Sequence, residues 1–172
     1  MKNYNEFIKT INFETKREAV LAYLEYAKEN NFTPYFYQAD LSRADLRCVN
    51  LTGDNLRYAD LSYTDLRCTN LRSADLRCAN LRYANLVGVN LSYANLSYAD
   101  LTMVYLISAD LSYANLSYAD LTGANLTKAD LSYANLTKAD LTKADLTGAI
   151  LRLADLRRVD LTKADLTGVI IQ

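Results

Sequence analysis

The chain of 172 residues contains no histidine, and this absence excludes much catalytic and metal chemistry. Histidine is the commonest general base and a frequent zinc ligand, so the common zinc arrangements and histidine-activated nucleophiles are ruled out. No serine or cysteine has an identifiable general base, and no glycine-rich phosphate loop occurs. We therefore expect a protein that is not an enzyme and that uses neither a metal ion nor a cofactor.

The chain also lacks long apolar runs and an excess of charge of either sign. No apolar stretch approaches the roughly 20 residues that a membrane span needs, and no signal-peptide pattern begins the chain. Lys and Arg total 19 against 20 Asp and Glu, which argues against direct binding to nucleic acid. The three cysteines, an odd number, argue against a disulfide-built secreted scaffold. We expect a cytoplasmic protein that does not bind membranes.

What the chain does contain is a repeat of five residues. Every fifth residue from Leu41 to Leu166 is leucine, and Phe36 and Ile171 keep the same phase. A period of five matches neither the 3.6 of a helix nor the 2.0 of a strand. Similarity at a fixed period instead predicts a solenoid, in which each unit is stable only when it stacks on its neighbours.

Each unit follows one residue pattern. The residue two before the leucine is small, usually alanine, and the residue one before it is Asp or Asn in nearly all units. This pattern closely resembles that of the pentapeptide-repeat family. The resemblance implies an all-β solenoid, a right-handed quadrilateral parallel β-helix of about seven coils, with one unit on each side.

The first 33 residues lack the repeat, so region 1–33 is separated from the repeat domain, 34–172. Thr15 and Glu18 have the spacing of a capping box, and apolar residues follow at helical spacing. We predict a helix over Lys16–Glu29 and a shorter one within Asn3–Ile11. Solenoids need polar-backed terminal caps, so this region is interpreted as an N-terminal α-helical cap. The alternative is a partner-binding helix.

Four-sided stacking places residues 20 positions apart in one column, and tyrosines recur two residues after the leucines. The predicted tyrosine ladders are Tyr93, Tyr113 and Tyr133; Tyr98 and Tyr118; and Tyr63 and Tyr83. Such rows either stabilise the fold through ring packing or present amphipathic contact surface of the kind enriched at binding sites.

One column directly before the leucines is mostly acidic. It contains Asp40, Asp60, Asp100, Asp120, Asp140 and Asp160. We expect these side chains to accept hydrogen bonds from turn backbone, as short polar side chains do. Calcium binding by the column is the alternative, but no mixed carboxylate-and-carbonyl loop signature supports it.

One unit in the middle of the chain departs from the pattern. Around Leu106, Tyr105 replaces the usual Asp or Asn, and Ile107 replaces the usual Ser, Thr or Arg. Stacking places both residues on one face with Val87, and Met103 lies around the corner. We interpret these four as a candidate interaction patch, because a contiguous apolar patch often marks a contact site. The alternative is a drifted repeat that tolerates neutral substitutions.

The last units carry apolar residues at positions that are elsewhere polar. Ile150, Leu153, Val169, Ile170 and Ile171 form a candidate dimer interface. An uncovered coil exposes an unpaired strand edge, which invites pairing with another chain. Because an N-terminal cap would block head-to-tail stacking, we predict a two-fold homodimer through the C-terminal coil.

Two further observations concern single positions. Asp54 occupies an inward small position near the cap, where either a hydrogen-bond partner reaches it or an unpaired charge is costly. Cys48 and Cys68 share a column at a Cα spacing inside the disulfide range of roughly 4.4–6.8 Å, whereas Cys78 lies on another face. In a reducing cytoplasm we expect Cys48 and Cys68 to be packed thiols.

Three functions are compatible with these features. The first is a protein-interaction or structural rod whose protein partner is unknown. The second follows from the resemblance, because some pentapeptide-repeat proteins mimic duplex DNA and bind DNA gyrase or other type II topoisomerases; the balanced charge of this chain argues against it. The third, ice binding, is suggested by columns of threonine, although neighbouring Asp and Lys side chains suit it poorly.

Overall fold

The computed structural model describes residues 3–10 and 13–171. From Tyr35 onward the chain forms a solenoid whose neighbouring coils are joined by single-residue parallel β-bridges. Every bridge joins residues 20 positions apart, from Tyr35–Asn55 to Ile150–Ile170, and the bridges recur every five residues. Each five-residue unit therefore forms one side of a four-sided coil. No strand longer than one bridge occurs in the described part of the chain.

Three backbone hydrogen bonds per unit hold neighbouring coils together. The Leu41 N–H donates to Asp60 O at 2.8 Å, the Asp60 N–H donates to Ala39 O at 2.9 Å, and the Arg43 N–H donates to Ser62 O at 2.9 Å. The same pattern continues along the rod. This ladder fixes the register between coils, so each residue lies directly over the residue 20 positions earlier.

Each corner of the coil is a tight turn. At one such corner, the Ala44 N–H donates to Leu41 O at 3.2 Å, and the residue before Ala44, Arg43, has a φ of 59°. A positive φ at the third residue is the feature of a type II turn. All five glycines occupy this corner position, but most corners carry larger residues. The coil-to-coil hydrogen bonds on either side hold those residues in a conformation that L-residues rarely adopt.

The leucines fill the interior. At every fifth position from Leu41 to Leu146 the leucine is 0–1% exposed, and the small residues beside these leucines are also buried. Each leucine contributes roughly 1.5–3 kcal/mol through burial. The burial weakens in the last described coil, where Leu166 is 45% exposed.

Two helices precede the solenoid. Helix α1 covers Tyr4–Phe7 and continues into a 3₁₀ turn, Ile8–Thr10, and helix α2 covers Lys16–Glu29. Both begin with a capping box, and α2 has the bounds that the sequence predicts. The last residue of the shorter predicted helix, Ile11, lies outside the described residues.

Aromatic side chains join the helices to the first coil. The ring centroids of Tyr4 and Tyr23 each lie 5.2 Å from that of Phe36, which is 0% exposed. At the edge of this contact, Lys16 Nζ donates to Asp40 Oδ1 at 2.7 Å. Burial and the nearby Asp40 charge raise the pKa of Tyr4 to about 12. The first coil is therefore as well buried as the middle of the rod, whereas the last coil is not.

Candidate interaction surfaces

The outward Asp and Asn side chains are engaged by the backbone. Every Asp or Asn directly before a leucine, from Asp40 to Asp165, accepts a hydrogen bond from the N–H two residues later, at 2.8–3.3 Å. These are Asx turns, in which the side chain starts the corner. The acidic column belongs to this set. At its far end, hydrogen bonds from Thr162 hold the pKa of Asp160 below its ordinary value.

The tyrosine ladders consist of parallel stacked rings. The centroid distances are 4.8 Å for Tyr93–Tyr113, 4.6 Å for Tyr113–Tyr133, 4.7 Å for Tyr98–Tyr118 and 5.1 Å for Tyr63–Tyr83. Lys138 continues one ladder, because its Nζ lies 4.6 Å from the Tyr118 centroid and donates to the Tyr118 hydroxyl at 2.8 Å. The rings cover one another's faces, yet the tyrosines of the ladders remain 39–58% exposed.

Two of the ladders border the same side of the rod, an arrangement that the sequence reasoning did not identify. The side lies between the ladder of Tyr93, Tyr113 and Tyr133 and that of Tyr98 and Tyr118. Its surface carries Asn and Ser or Thr, and the Asn135 side chain donates to Asn115 Oδ1 at 3.3 Å. We call this side the tyrosine face. The sequence indicates this arrangement only when adjacent columns, five residues apart, are compared with each other.

The candidate interaction patch lies on a different side. The bridge Asn85–Tyr105 and a hydrogen bond of 3.0 Å from the Gly88 N–H to Ile107 O place Val87 and Ile107 on neighbouring coils. Tyr105 is 49% exposed, and Val87 and Ile107 are half-buried. The patch therefore presents one exposed ring beside two aliphatic side chains.

Met103 lies at the edge of this patch, at the corner that also carries Tyr63 and Tyr83. It is 44% exposed, and its sulfur lies over the next coil at Gly123. A Cβ at Gly123 would come within 2.7 Å of that sulfur, so the glycine leaves room for the methionine. The apolar surface therefore continues around the corner from the patch into the Tyr63–Tyr83 ladder.

The patch also breaks the Asx rule. Among the described units between Asp40 and Asp165, only those with Tyr105 and Ile150 lack the side-chain hydrogen bond that starts the turn. A hydrogen bond of this kind contributes about 0.5–1.5 kcal/mol. The local structure is otherwise unchanged, because Tyr105 makes the same bridges to Asn85 and Asn125 as its neighbours make along their columns.

The candidate dimer interface surrounds the last described coil. Leu153 is 74% exposed, Ile171 66% and Ile170 41%, and Ile150 and Val169 are half-buried. No backbone hydrogen bond between described residues uses the N–H groups of Leu156, Leu161 and Leu166. This end of the described solenoid therefore combines apolar side chains with an unpaired edge.

Asp54 is a buried acid beneath the helices. It is 3% exposed, and its Oδ2 has no hydrogen-bond partner among the described residues. Loss of hydration raises its pKa to about 7. Burial raises the pKa of Tyr23 in α2 as well, and the charge of Asp54 adds to that shift.

Stacked parallel coils of four five-residue sides, with leucine inside and Asx turns at the corners, define a quadrilateral β-solenoid. The sequence profile of the pentapeptide repeats matches the chain in eight copies, over residues 35–72, 55–92, 69–106, 105–142 and 134–172. The chain therefore belongs to the pentapeptide repeat family, whose members fold as right-handed quadrilateral β-helices.

Solved structures of the same family are similar to the chain. HetL, a protein of the cyanobacterium Nostoc sp. strain PCC 7120 involved in heterocyst differentiation regulation, is 30% identical, with 94% of this chain and 93% of HetL covered and a TM-score of 0.43. A trypsin-treated variant of QnrB1, a plasmid-mediated fluoroquinolone resistance protein, is 25% identical, with 83% and 81% covered and a TM-score of 0.59. No curated protein matches the sequence.

Two features are absent from the described residues. Neither helix has the length and apolar character of a transbilayer segment. No cluster of Cys, Asp and Glu in residues 3–10 and 13–171 has the geometry of a metal site.

Proposed function

We propose that the chain is a cytoplasmic, non-enzymatic rod that binds another protein through the patch of Val87, Met103, Tyr105 and Ile107. The unit around Tyr105 carries the proposal. It gives up a turn-starting hydrogen bond and exposes an aromatic ring, while the described coil gains no ring contact from Tyr105 in return. Departures from a local rule without a gain for the fold are expected at functional positions.

The charges around the patch support a protein partner. No Lys or Arg occurs between Tyr83 and Thr127, so the middle coils offer nothing to the phosphates of nucleic acid. The cores of protein–protein interfaces are depleted in charge and enriched in aromatic residues and methionine. Tyr105 and Met103 match that composition, and members of the family are generally structural or interaction proteins.

A test is offered by substitutions that restore the repeat pattern. The double variant Tyr105→Asn, Ile107→Thr carries residues that are usual at these positions, so it should fold at least as well as the wild type. With a photo-cross-linking residue at Ser108, the wild type should form a cross-linked protein adduct of defined mass in cells, and the double variant should lose it.

The matched control is Tyr133→Lys, which changes an exposed tyrosine on another side of the rod. Lysine already stacks on tyrosine at Lys138, so the control should keep its fold and its adduct. Loss of the adduct in the control but not in the double variant would contradict the proposal and move the contact to the tyrosine face.

We infer that the N-terminal helices act as a cap on the first of about seven coils. The aromatic contacts of Tyr4 and Tyr23 with Phe36 support this role, since the first coil is buried whereas the last described coil is open.

We also propose that the protein is a two-fold homodimer through its C-terminal coil. The exposure of Leu153, Ile170 and Ile171 beside unpaired N–H groups supports that assembly.

A second candidate function is binding to DNA gyrase or a related topoisomerase as a DNA mimic. It is favoured by the similarity in fold to QnrB1 and by the column of stacked aspartates on one side of the rod. The net formal charge of −1 for the chain argues against close mimicry of a polyanion. A gyrase supercoiling assay tests it, because a DNA mimic should inhibit supercoiling or protect it from a fluoroquinolone, and an unrelated interaction rod should do neither.

A further inference from the structure

Cys48 and Cys68 occupy equivalent corners of the first two coils. Both have a φ of 57°, and the Cys48 N–H donates to Arg67 O at 3.1 Å. The bridges Asp45–Asp65 and Asn50–Asn70 fix the register on either side of them. Because the two backbones have the same conformation, the Cα–Cβ bonds of the two cysteines run parallel rather than diverge.

The tyrosine ladders measure the spacing at such corners. They occupy the same position in the unit, and their rings lie 4.6–5.1 Å apart. Neighbouring parallel strands are spaced at about 4.7–4.9 Å, and disulfides join residues with Cα separations of roughly 4.4–6.8 Å. Parallel Cα–Cβ bonds keep the two Cβ atoms at about this coil spacing, slightly more than the roughly 3.5–4.5 Å that a disulfide requires. Closing the bond therefore needs rotation of both side chains and an approach of the two corners by a few tenths of an ångström.

Both thiols are accessible to reagents in solution. Cys48 and Cys68 are exposed, and the next residue of their column is Gly88, which has open space where a side chain would lie. The third cysteine, Cys78, lies in a different column between Tyr58 and Tyr98 and is only partly exposed. One chain therefore contains a stacked pair of thiols and a solitary thiol for comparison.

We propose that Cys48 and Cys68 form a redox-sensitive pair that closes into a disulfide when a peroxide is the oxidant. Hydrogen peroxide oxidises one thiol to a sulfenic acid and is reduced to water. The second sulfur then attacks the first, the S–S bond forms, and the hydroxyl leaves as a second molecule of water. A dithiol reductant reverses the step and is itself oxidised to a disulfide.

This disulfide would connect two coils that otherwise share only hydrogen bonds and packing. The same corner holds α2, because Arg17 Nη1 donates to Asp45 O at 3.0 Å and to Arg47 O at 3.1 Å. Oxidation therefore covalently links the corner that α2 contacts to the second coil. An exposed disulfide is also readily reduced, which suits a reversible modification better than a permanent cross-link.

The experiment uses the full chain, reduced and then exposed to equimolar hydrogen peroxide at low protein concentration. Remaining thiols are blocked with N-ethylmaleimide, and the intact mass is measured. We expect a monomeric product that has lost two hydrogens and carries one N-ethylmaleimide, located on Cys78 by peptide mapping. Treatment with dithiothreitol before blocking should restore all three adducts.

Two variants separate pairing from general reactivity. Cys78→Ser should form the same disulfide and carry no adduct, whereas Cys68→Ser should leave Cys48 with no intramolecular partner and form no internal disulfide. Separate sulfenic or sulfinic acids on Cys48 and Cys68 in the wild type, or disulfides only between molecules, would overturn the proposal. So would a disulfide that persists in a large excess of reduced glutathione, since the pair would then not be reversible.

Discussion

Replacing Asp54 with alanine, the usual residue at its position, should stabilise the protein at neutral and alkaline pH. Burial raises the pKa of Asp54 from 3.8 to about 7, because the carboxylate loses its hydration and Oδ2 gains no partner. Each pKa unit corresponds to about 1.4 kcal/mol, so ionised Asp54 costs the folded state on the order of 4 kcal/mol. Asp54→Ala removes that cost.

The sign of the pH dependence follows from proton binding. Between about pH 4 and pH 7 the folded protein holds the Asp54 proton more tightly than the unfolded chain does, so stability falls as the pH rises through this window. Below it, both states are protonated and the cost disappears. Carboxylates such as Asp160, whose pKa is lowered by hydrogen bonds from Thr162, act in the opposite direction and only as the pH falls towards acid.

Urea unfolding of the wild type and Asp54→Ala, followed by circular dichroism from about pH 4 to pH 8, measures the effect. The variant should gain little at the acidic end and on the order of 4 kcal/mol at the alkaline end. Asp160→Asn, a change at an exposed aspartate of the acidic column, is the control. Because hydrogen bonds from Thr162 lower the pKa of Asp160, this variant should show no gain that grows towards alkaline pH. A difference that is constant across pH, or that grows towards acid, would refute the reasoning.

Three further predictions address the core and the two ends of the rod. Leu96→Ala, at a position that is 0% exposed, should lower the free energy of unfolding by about 2–5 kcal/mol in urea titrations; an unchanged value would contradict its place in the core. Deletion of residues 1–32 should expose Phe36 and cause aggregation in size-exclusion chromatography, and a monodisperse truncated rod with unchanged melting would favour a partner-binding helix over a cap. Ile170→Asp with Ile171→Asp should convert a dimer to a monomer in light scattering at micromolar concentration, and a wild type that is already monomeric would contradict the dimer.

The sequence predicted the repeat fold because its signal is redundant. A leucine at every fifth position states the same packing rule in each unit, so single exceptions such as Asp54 do not obscure it. Helix α2 was equally legible, since Thr15 and Glu18 form the capping box that their spacing indicates. The spatial pairing of the ladders into the tyrosine face was missed because it depends on which columns share a side of the rod. The residue pattern of a single unit does not show this.

The state of Asp54 was also beyond the sequence. Its inward position follows from the repeat, but whether a partner reaches it depends on how the helices rest on the first coil. The structure leaves Oδ2 without one among the described residues, although Tyr23 of α2 lies close enough for their charges to interact. The N-terminal helices do not follow the repeat, so the periodicity of the sequence does not predict their contacts with the first coil.

The Asx turns make an unusual residue directly before a leucine more informative about function than one elsewhere on the surface. The residue before each leucine lies on the surface, so substitution there would look neutral if exposure were the only criterion. Its side chain nevertheless starts the corner in every described unit that has Asp or Asn, from Asp40 to Asp165. The side chains of the two residues after the leucine do not start the turn. A tyrosine at a corner is compatible with neutral drift or with ring packing, whereas Tyr105 removes a stabilising hydrogen bond. That cost, together with the exposed ring and the adjoining Ile107, makes this unit a stronger indication of selection for contact than the more numerous tyrosines of the ladders.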